Sequence, residues 1–213
     1  MLKLNRMMNT KEFGYACSLV FFISGILYVV RNHAVIGISV IDAVRIGLAS
    51  SLFFVISYLF AVREVAEDSP TVVESVIPVL SVLTPILIVN VSSLFEPDYS
   101  FPIVGTTVMI LGLMLTLLAL FNLGRGFGIL PARRMIVSSG LYAFIRHPVY
   151  AGEILIGFGL VLTYLNHVGV VILLLGIVTA GLRIGIEEKK LSADEEYREY
   201  QSKVKYKLVP IIW

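Results

Sequence analysis

Long apolar runs constrain this chain more than any other feature, because a membrane-spanning helix needs about 20 apolar residues to cross a hydrocarbon core of about 30 Å. Two shorter apolar runs follow the long ones, with Asn166 and His167 between them. The long runs lie at 13–30, 39–62, 72–94 and 102–122, and the shorter ones at 149–165 and 168–186. With 57% hydrophobic residues among 213, the sequence predicts an integral membrane protein.

The predicted fold is all-α, with about five to six transmembrane segments. The two short runs predict a C-terminal helical hairpin, and the charged stretch at roughly 187–203 predicts an amphipathic tail helix against the cytoplasmic face. Residues 1–122 form N-terminal spans with few polar groups. Residues 123–213 hold nearly all the informative polar side chains, so we predict that this second region is catalytic and binds a cofactor.

The distribution of basic residues predicts a multi-pass protein with both termini in the cytoplasm. Basic residues gather at the N-terminus, in the loop at 123–147 and in the tail after 183, whereas the segment at 95–101 has acids and no base. The formal net charge of +2 is too small to suggest a nucleic-acid partner. Cys17 is the only cysteine and lies in an apolar run, which excludes an intramolecular disulfide framework. The N-terminal run resembles a signal peptide without a small-residue cleavage site, and we expect it to remain as the first helix.

A polar cluster lies where the hairpin begins. His147 precedes Pro148, which suits the first turn of a helix and disfavours helix at the residue before it. The free N–H groups at such a helix mouth can hold an anionic group, and His147 can donate to the same ligand. Tyr142 and Tyr150 offer rings and hydroxyl groups beside the break, although an interfacial aromatic belt would also explain them. Arg146 fits equally well as a basic anchor of a cytoplasmic loop.

A second polar cluster lies where the last apolar run ends. Arg183 and Glu187 are four residues apart, which predicts either a surface ion pair or a guanidinium that clamps a carboxylate or phosphate. Glu188 is expected to face water. Glu153 would be costly against lipid, so we expect it to point into the helix bundle. His33, His147 and His167 lie on different loops, and the sequence predicts no metal site.

The motifs around these residues resemble the isoprenylcysteine carboxyl methyltransferase family and its phospholipid methyltransferase relatives. The resemblance covers roughly residues 120–213. It is carried by Val137-Ser138-Ser139-Gly140-Leu141-Tyr142, by Arg146-His147-Pro148-x-Tyr150-x-Gly152, by Glu187-Glu188-x-x-Leu191 and by Glu196-Tyr197-x-x-Tyr200.

The resemblance implies a methyltransferase that binds S-adenosylmethionine in a cytoplasm-facing pocket, with Arg183 and Glu187 as catalytic residues. Its acceptor would be lipophilic, enter sideways from the bilayer lipids and place a carboxylate near Arg183; the carboxylate of a prenylated cysteine is the predicted acceptor. The implied cofactor contacts are Arg134, Met135, Ile136, Val137, Tyr142, His147, Pro148, Val149, Tyr150 and Glu187.

Three alternatives remain open from the residues alone. A phospholipid amine acceptor would need a proton acceptor, such as Glu187 or Glu188. An NADPH-dependent reductase is suggested by the segment 204–210, which resembles the end of sterol reductases, although these usually carry an Arg-Asp motif where this chain has Glu187-Glu188. A non-enzymatic transporter or scaffold would be expected to show paired broken helices near mid-membrane, of which the first four runs give little sign.

Overall fold

The described residues of the computed structural model form an all-α integral membrane protein. The structure describes residues 10–32, 40–62, 77, 84, 87–88, 100–124, 136–163 and 165–210. Its helices are α1 (Lys11–Asn32), α2 (Val40–Val62), α3 (Pro102–Leu123), α4 (Pro148–Thr163), α5 (His167–Leu191) and α6 (Glu195–Lys203), with a short 3-10 helix at Gly140–Ala143.

Four helices in the described ranges are long and apolar enough to cross a membrane, and α4 is a shorter apolar helix. The four are Lys11–Asn32, Ala43–Val62, Pro102–Leu123 and His167–Leu191. They match four of the predicted runs closely. Most of the run predicted at 72–94 lies outside the described residues; of that run, Ile77, Thr84, Leu87 and Ile88 are described, and all four are helical.

Helices α3 and α4 approach closely because glycines on both helices bring the backbones together. A Cβ added at Gly112 would lie 2.7 Å from the Ile156 nitrogen, and one added at Gly159 would lie 2.6 Å from the Gly105 carbonyl oxygen. In a membrane, small residues at helix interfaces permit the tight van der Waals packing that holds helices together. This contact fixes α4, the helix that carries Tyr150 and Glu153, against α3.

Local signals in the sequence determine where the two helices of the hairpin begin. Helix α4 begins at Pro148, as predicted, because proline has no N–H to lose in a first turn. Asn166 is fully buried, and its side chain accepts a hydrogen bond from the Gly169 nitrogen at 2.8 Å, which caps α5. The two helices therefore turn tightly, and the start of α4 lies at the same end of the hairpin as the end of α5.

The tail differs from the single amphipathic helix predicted at 187–203. Helix α5 continues to Leu191, a turn follows, and α6 begins after Asp194, whose side chain accepts a hydrogen bond from the Glu196 nitrogen. Glu187 and Glu188 therefore belong to the membrane helix and not to the tail helix. The apolar pattern of the last run ends at 186, so sequence periodicity alone did not reveal that the helix continues.

Candidate functional site

The C-terminal tail crosses the mouth of the hairpin. The Arg146 nitrogen donates a hydrogen bond to the Tyr206 carbonyl oxygen, and the His147 nitrogen donates to the Lys207 carbonyl oxygen, both at 2.9 Å. These two N–H groups, which precede the first turn of α4, are thus paired within the chain, and the binding of an anionic group by the N–H groups of the first turn stays a prediction. The tail at Tyr206 and Lys207 therefore lines one side of the polar region.

Glu188 lies at the centre of the first polar group, which we call the Glu188 network: Arg146, His147, Glu188 and Lys207. Arg146 Nε donates to Glu188 Oε1 at 2.7 Å, and His147 Nε2 donates to the same oxygen at 3.1 Å. Lys207 Nζ lies 3.0 Å from Glu188 Oε2. The prediction that Glu188 faces water is wrong, because the continuing helix turns this carboxylate inward, where it is 8% exposed.

Arg146 is also more than a basic anchor of a loop. It is 9% exposed, and its Nη1 donates to the Val204 carbonyl oxygen at 2.7 Å and to the Lys205 carbonyl oxygen at 3.1 Å. A buried guanidinium needs both a counter-charge and hydrogen-bond acceptors. Glu188 supplies the counter-charge and one acceptor, and the tail carbonyls of Val204 and Lys205 supply further acceptors. Arg146 therefore connects the tail to α5.

The second polar group, which we call the Arg183 cluster, consists of Tyr150, Glu153, Arg183 and Glu187. The Arg183 guanidinium carbon lies 4.5 Å from the centre of the Tyr150 ring, and Arg183 Nη1 lies 3.9 Å from Glu153 Oε2. The Tyr150 hydroxyl donates a hydrogen bond to Glu187. Glu153 points into the bundle, as expected, and Tyr150 contacts both members of the predicted Arg183/Glu187 pair.

The two groups are joined by stacked rings. The His147 and Tyr150 ring centres are 5.4 Å apart, and the ring planes differ by 8°. Along α5, Arg183 lies one turn, or about 6 Å, farther from the helix end than Glu187. Glu153 likewise lies deeper than Tyr150 on α4. The site therefore has an outer level with Glu187 and an inner level with Arg183 and Glu153.

A cluster of tyrosines packs the 3-10 helix against α6. Tyr142, Tyr197 and Tyr200 are buried together with Val204, and the Tyr200 hydroxyl donates to the Tyr142 carbonyl oxygen at 2.7 Å. Burial, which disfavours the phenolate, raises the pKa of Tyr200 to about 12, although the nearby Arg146 charge acts in the opposite direction. Burial also raises the pKa of Tyr142 and of Tyr197.

Of the remaining predicted cofactor residues, four lie next to these groups and two lie outside the described residues. Ile136 and Val137 pack against the tyrosine cluster, and Val149 packs beside Tyr150 and Ile184. Pro148 is fully buried at the start of α4. Arg134 and Met135 lie outside the described residues, so their predicted contacts stay predictions.

Sequence reasoning missed Lys207 as a member of the site. The sequence analysis included Lys207 among the basic residues of the tail and in the segment 204–210 but gave it no role in the site, whereas its side chain reaches Glu188. No spacing rule connects two residues this far apart in sequence on different elements. Among the described residues, no group of three or more His, Cys, Asp or Glu side chains could hold a metal ion.

Comparison with known proteins places this arrangement in a family. Residues 72–204, which are more than half of the chain, match the family described as protein of unknown function DUF1295. The chain belongs to the DUF1295 family. DUF1295 is a membrane family of steroid 5α-reductase-like proteins, so membership does not confirm the resemblance to isoprenylcysteine carboxyl methyltransferases. A search of curated proteins found no match.

Proposed function

We propose that this DUF1295 protein is a methyltransferase that uses S-adenosylmethionine and modifies a lipophilic acceptor. The observation that carries the proposal is the position of Glu187, a half-buried carboxylate at the outer level of the site, oriented by the Tyr150 hydroxyl. S-adenosylmethionine has an ammonium and a sulfonium, and a carboxylate is the natural partner for a cationic cofactor. Glu187 would hold the ammonium, with the stacked rings of His147 and Tyr150 beside it.

The two levels of the site suit two ligands of different solubility. A water-soluble cofactor would reach the outer level at the open end of the hairpin. A lipophilic acceptor would reach the inner level, at Arg183 and Glu153, from the bilayer. This order keeps the reacting groups away from water, and fixed positions in a dry site account for much of the rate of a displacement reaction.

The chain itself has little chemistry to perform in such a reaction. When bound, S-adenosylmethionine supplies an already activated methyl group. The protein must hold the acceptor in line with that group, exclude water, and accept a proton if the acceptor carries one. Glu188 is fully engaged with Arg146, His147 and Lys207, which leaves Glu153 and Glu187 as the carboxylates of the site for such a role.

A reductase that uses NADPH is the second candidate, and the likeness of DUF1295 to steroid 5α-reductases favours it. NADPH carries several phosphate charges and is normally bound by cations. Among the described residues, the cations that share a carboxylate with His147 are Arg146 and Lys207, and both are paired with Glu188. Arg183 lies against Glu153 and Tyr150. These pairings favour the methyltransferase over the reductase.

We infer that the site faces the cytoplasm and that both termini lie there. The site is at the end of the hairpin that carries the basic tail, and basic residues concentrate on the cytoplasmic side of membrane proteins.

The role of Tyr150 tests the proposed cofactor position. In Tyr150→Phe the ring beneath Arg183 remains, but Glu187 loses its hydroxyl donor. We expect S-adenosylhomocysteine to bind about 5- to 10-fold more weakly, which corresponds to the loss of about one hydrogen bond. Titration calorimetry on the purified protein measures the change. Tyr206→Phe is the matched control, because the Tyr206 side chain is exposed.

Glu187→Gln should weaken the binding of S-adenosylhomocysteine further, since it removes the charge that faces the ammonium. If both Tyr150→Phe and Glu187→Gln bind S-adenosylhomocysteine as the unmodified protein does, the proposed position of the cofactor is wrong.

A further inference from the structure

Among the residues that the structure describes, the Arg183 cluster has more negative than positive charge. Two carboxylates, Glu153 and Glu187, accompany one guanidinium. Tyr150 contacts Arg183 through its ring and Glu187 through its hydroxyl, and Arg183 lies at ion-pair distance from Glu153. Arg183 is only 4% exposed, so bulk water screens these charges weakly. A group that enters this inner level is favoured if it brings a positive charge.

Glu153 has the geometry of a binding group as well as that of an ion-pair partner. Its Oε2 is buried and, among the contacts described for this chain, accepts no hydrogen bond. At 3.9 Å, its distance to Arg183 Nη1 is an ion-pair distance and not a hydrogen-bond distance. A buried carboxylate oxygen without a donor is costly, and a donor on a ligand would remove that cost.

We propose that Glu153 binds the ammonium group of a lipophilic amine and then accepts a proton from it. The proposal rests on the methyltransferase function and names its acceptor class. The cation would satisfy the orphan oxygen of Glu153, while Glu187 remains the partner of the cofactor ammonium. The hydrocarbon chain of the amine would extend into the bilayer.

The chemistry needs Glu153 for a definite reason. An ammonium has no lone pair, so it cannot attack a methyl group. Glu153 Oε2 forms a bond to one proton as the N–H bond breaks, and the electron pair of that bond remains on nitrogen. That pair then forms the new nitrogen–carbon bond, while the electron pair of the broken carbon–sulfur bond stays on sulfur. The cofactor product is a neutral thioether, and the proton on Glu153 is released to water.

A carboxylate acceptor, as the resemblance predicts, would place opposite demands on this residue. It carries no proton that must be removed, and it would place a second negative charge beside the Glu153 carboxylate at Arg183. Replacing Glu153 by glutamine would therefore favour a carboxylate acceptor and disfavour an amine. The two acceptor classes can be separated by one substitution.

Binding in the absence of cofactor gives the first readout. The protein in lipid nanodiscs is incubated with radiolabelled hexadecylamine or radiolabelled palmitate, and empty discs supply the background. We expect the unmodified protein to retain the amine in preference to the acid, and Glu153→Gln to lose this preference by at least about tenfold. Glu195→Gln, an exposed acid on α6, is the matched control and should bind as the unmodified protein does. Equal retention of the amine by both variants would overturn the proposal.

Methyl transfer gives the second readout, with hexadecylamine, phosphatidylethanolamine and a farnesylcysteine analogue as acceptors. We expect transfer to an amine, a reduction of kcat/KM of about 100-fold or more in Glu153→Gln, and partial recovery in Glu153→Asp. Transfer to hexadecylamine alone would indicate a free long-chain amine, and transfer to phosphatidylethanolamine a lipid head group; either outcome supports an amine acceptor.

Binding of S-adenosylhomocysteine to the same samples distinguishes a failure of the amine proposal from a failure of the methyltransferase proposal. If it binds but only farnesylcysteine is methylated, or no acceptor is, the amine proposal is wrong and the cofactor assignment stands. If S-adenosylhomocysteine does not bind to the unmodified protein, the methyltransferase function itself is wrong, and the amine proposal fails with it.

Discussion

At the scale of single residues, Glu188 is the carboxylate that joins three basic side chains of the candidate site. It contacts Arg146 on the loop before α4, His147 at the helix mouth and Lys207 on the tail. One carboxylate therefore connects three segments that are distant in sequence. Its neighbour Glu187 has a different task, because it faces Tyr150 at the outer level of the site.

Glu188→Ala should destabilise the protein by about 3–5 kcal/mol, because it leaves the buried Arg146 without its counter-charge. Thermal unfolding in detergent checks this expectation, and the transition should move to a clearly lower temperature. Glu196→Ala removes an exposed acid and should leave the transition nearly unchanged. Equal transition temperatures for the two variants would show that Glu188 is not the centre of a stabilising network.

At the scale of elements, the α3–α4 contact determines where the site can form. The glycines at this contact leave no space for a side chain, whereas Gly47 and Gly185, on other membrane helices, face open space. Gly47 on α2 has no atom within 4 Å of the position a Cβ would take. The two helix positions should therefore respond differently to the same substitution.

Gly112→Ala should destabilise the protein by about 1–3 kcal/mol, since the new Cβ would lie 2.7 Å from the Ile156 nitrogen and force the helices apart. Gly47→Ala should be neutral or slightly stabilising, because alanine favours helix more than glycine does. Equilibrium unfolding of both variants in mixed micelles measures the difference. A tolerated Gly112→Ala would contradict the close contact between α3 and α4.

Helix α6 should separate from the site at alkaline pH. The pKa of Tyr200 is about 12 in the folded protein and about 10 in an unfolded chain. Its contribution to stability is therefore complete below pH 10 and is lost as pH rises towards 12. The free energy of unfolding should decrease over this range, and the decrease should be smaller in Tyr200→Phe.

Tyr200→Phe should also cost about 1 kcal/mol at neutral pH, because the hydrogen bond to the Tyr142 carbonyl oxygen is lost. Unfolding followed at pH 8 and at pH 11 separates the two effects. The exposed Tyr206→Phe should retain the full alkaline loss. If Tyr200→Phe loses as much stability between these pH values as the unmodified protein, Tyr200 is not the source of the pH dependence.

At the scale of the whole molecule, the sequence predicted the membrane helices well because their lengths are set by the bilayer. Four helices follow the apolar runs within a few residues. Pro148 and Asn166 also marked their helix ends correctly, since capping and proline effects are local. Glu187 and Glu188 were wrongly assigned to the tail helix, because α5 continues beyond the end of its apolar run and its last residues are polar.

The site was predicted less completely than the membrane helices, because several of its contacts join residues that are distant in sequence. The motifs identified Tyr150, His147 and Glu187, which the structure brings close together. They assigned no contact to Lys207, and the position of Glu188 at the end of the last apolar run led to the wrong expectation that it faces water. These contacts join the tail to the helix mouth across the fold, and nothing in local sequence encodes such long-range pairing.

The central claim is that this protein binds a cationic sulfonium cofactor and not an anionic nicotinamide cofactor. Titration calorimetry of the detergent-purified protein with S-adenosylhomocysteine and, in parallel, with NADPH tests it most directly. The account predicts saturable binding of S-adenosylhomocysteine, weakened in Glu187→Gln, and no saturable binding of NADPH. Saturable binding of NADPH without any response to S-adenosylhomocysteine would contradict the account and favour the reductase.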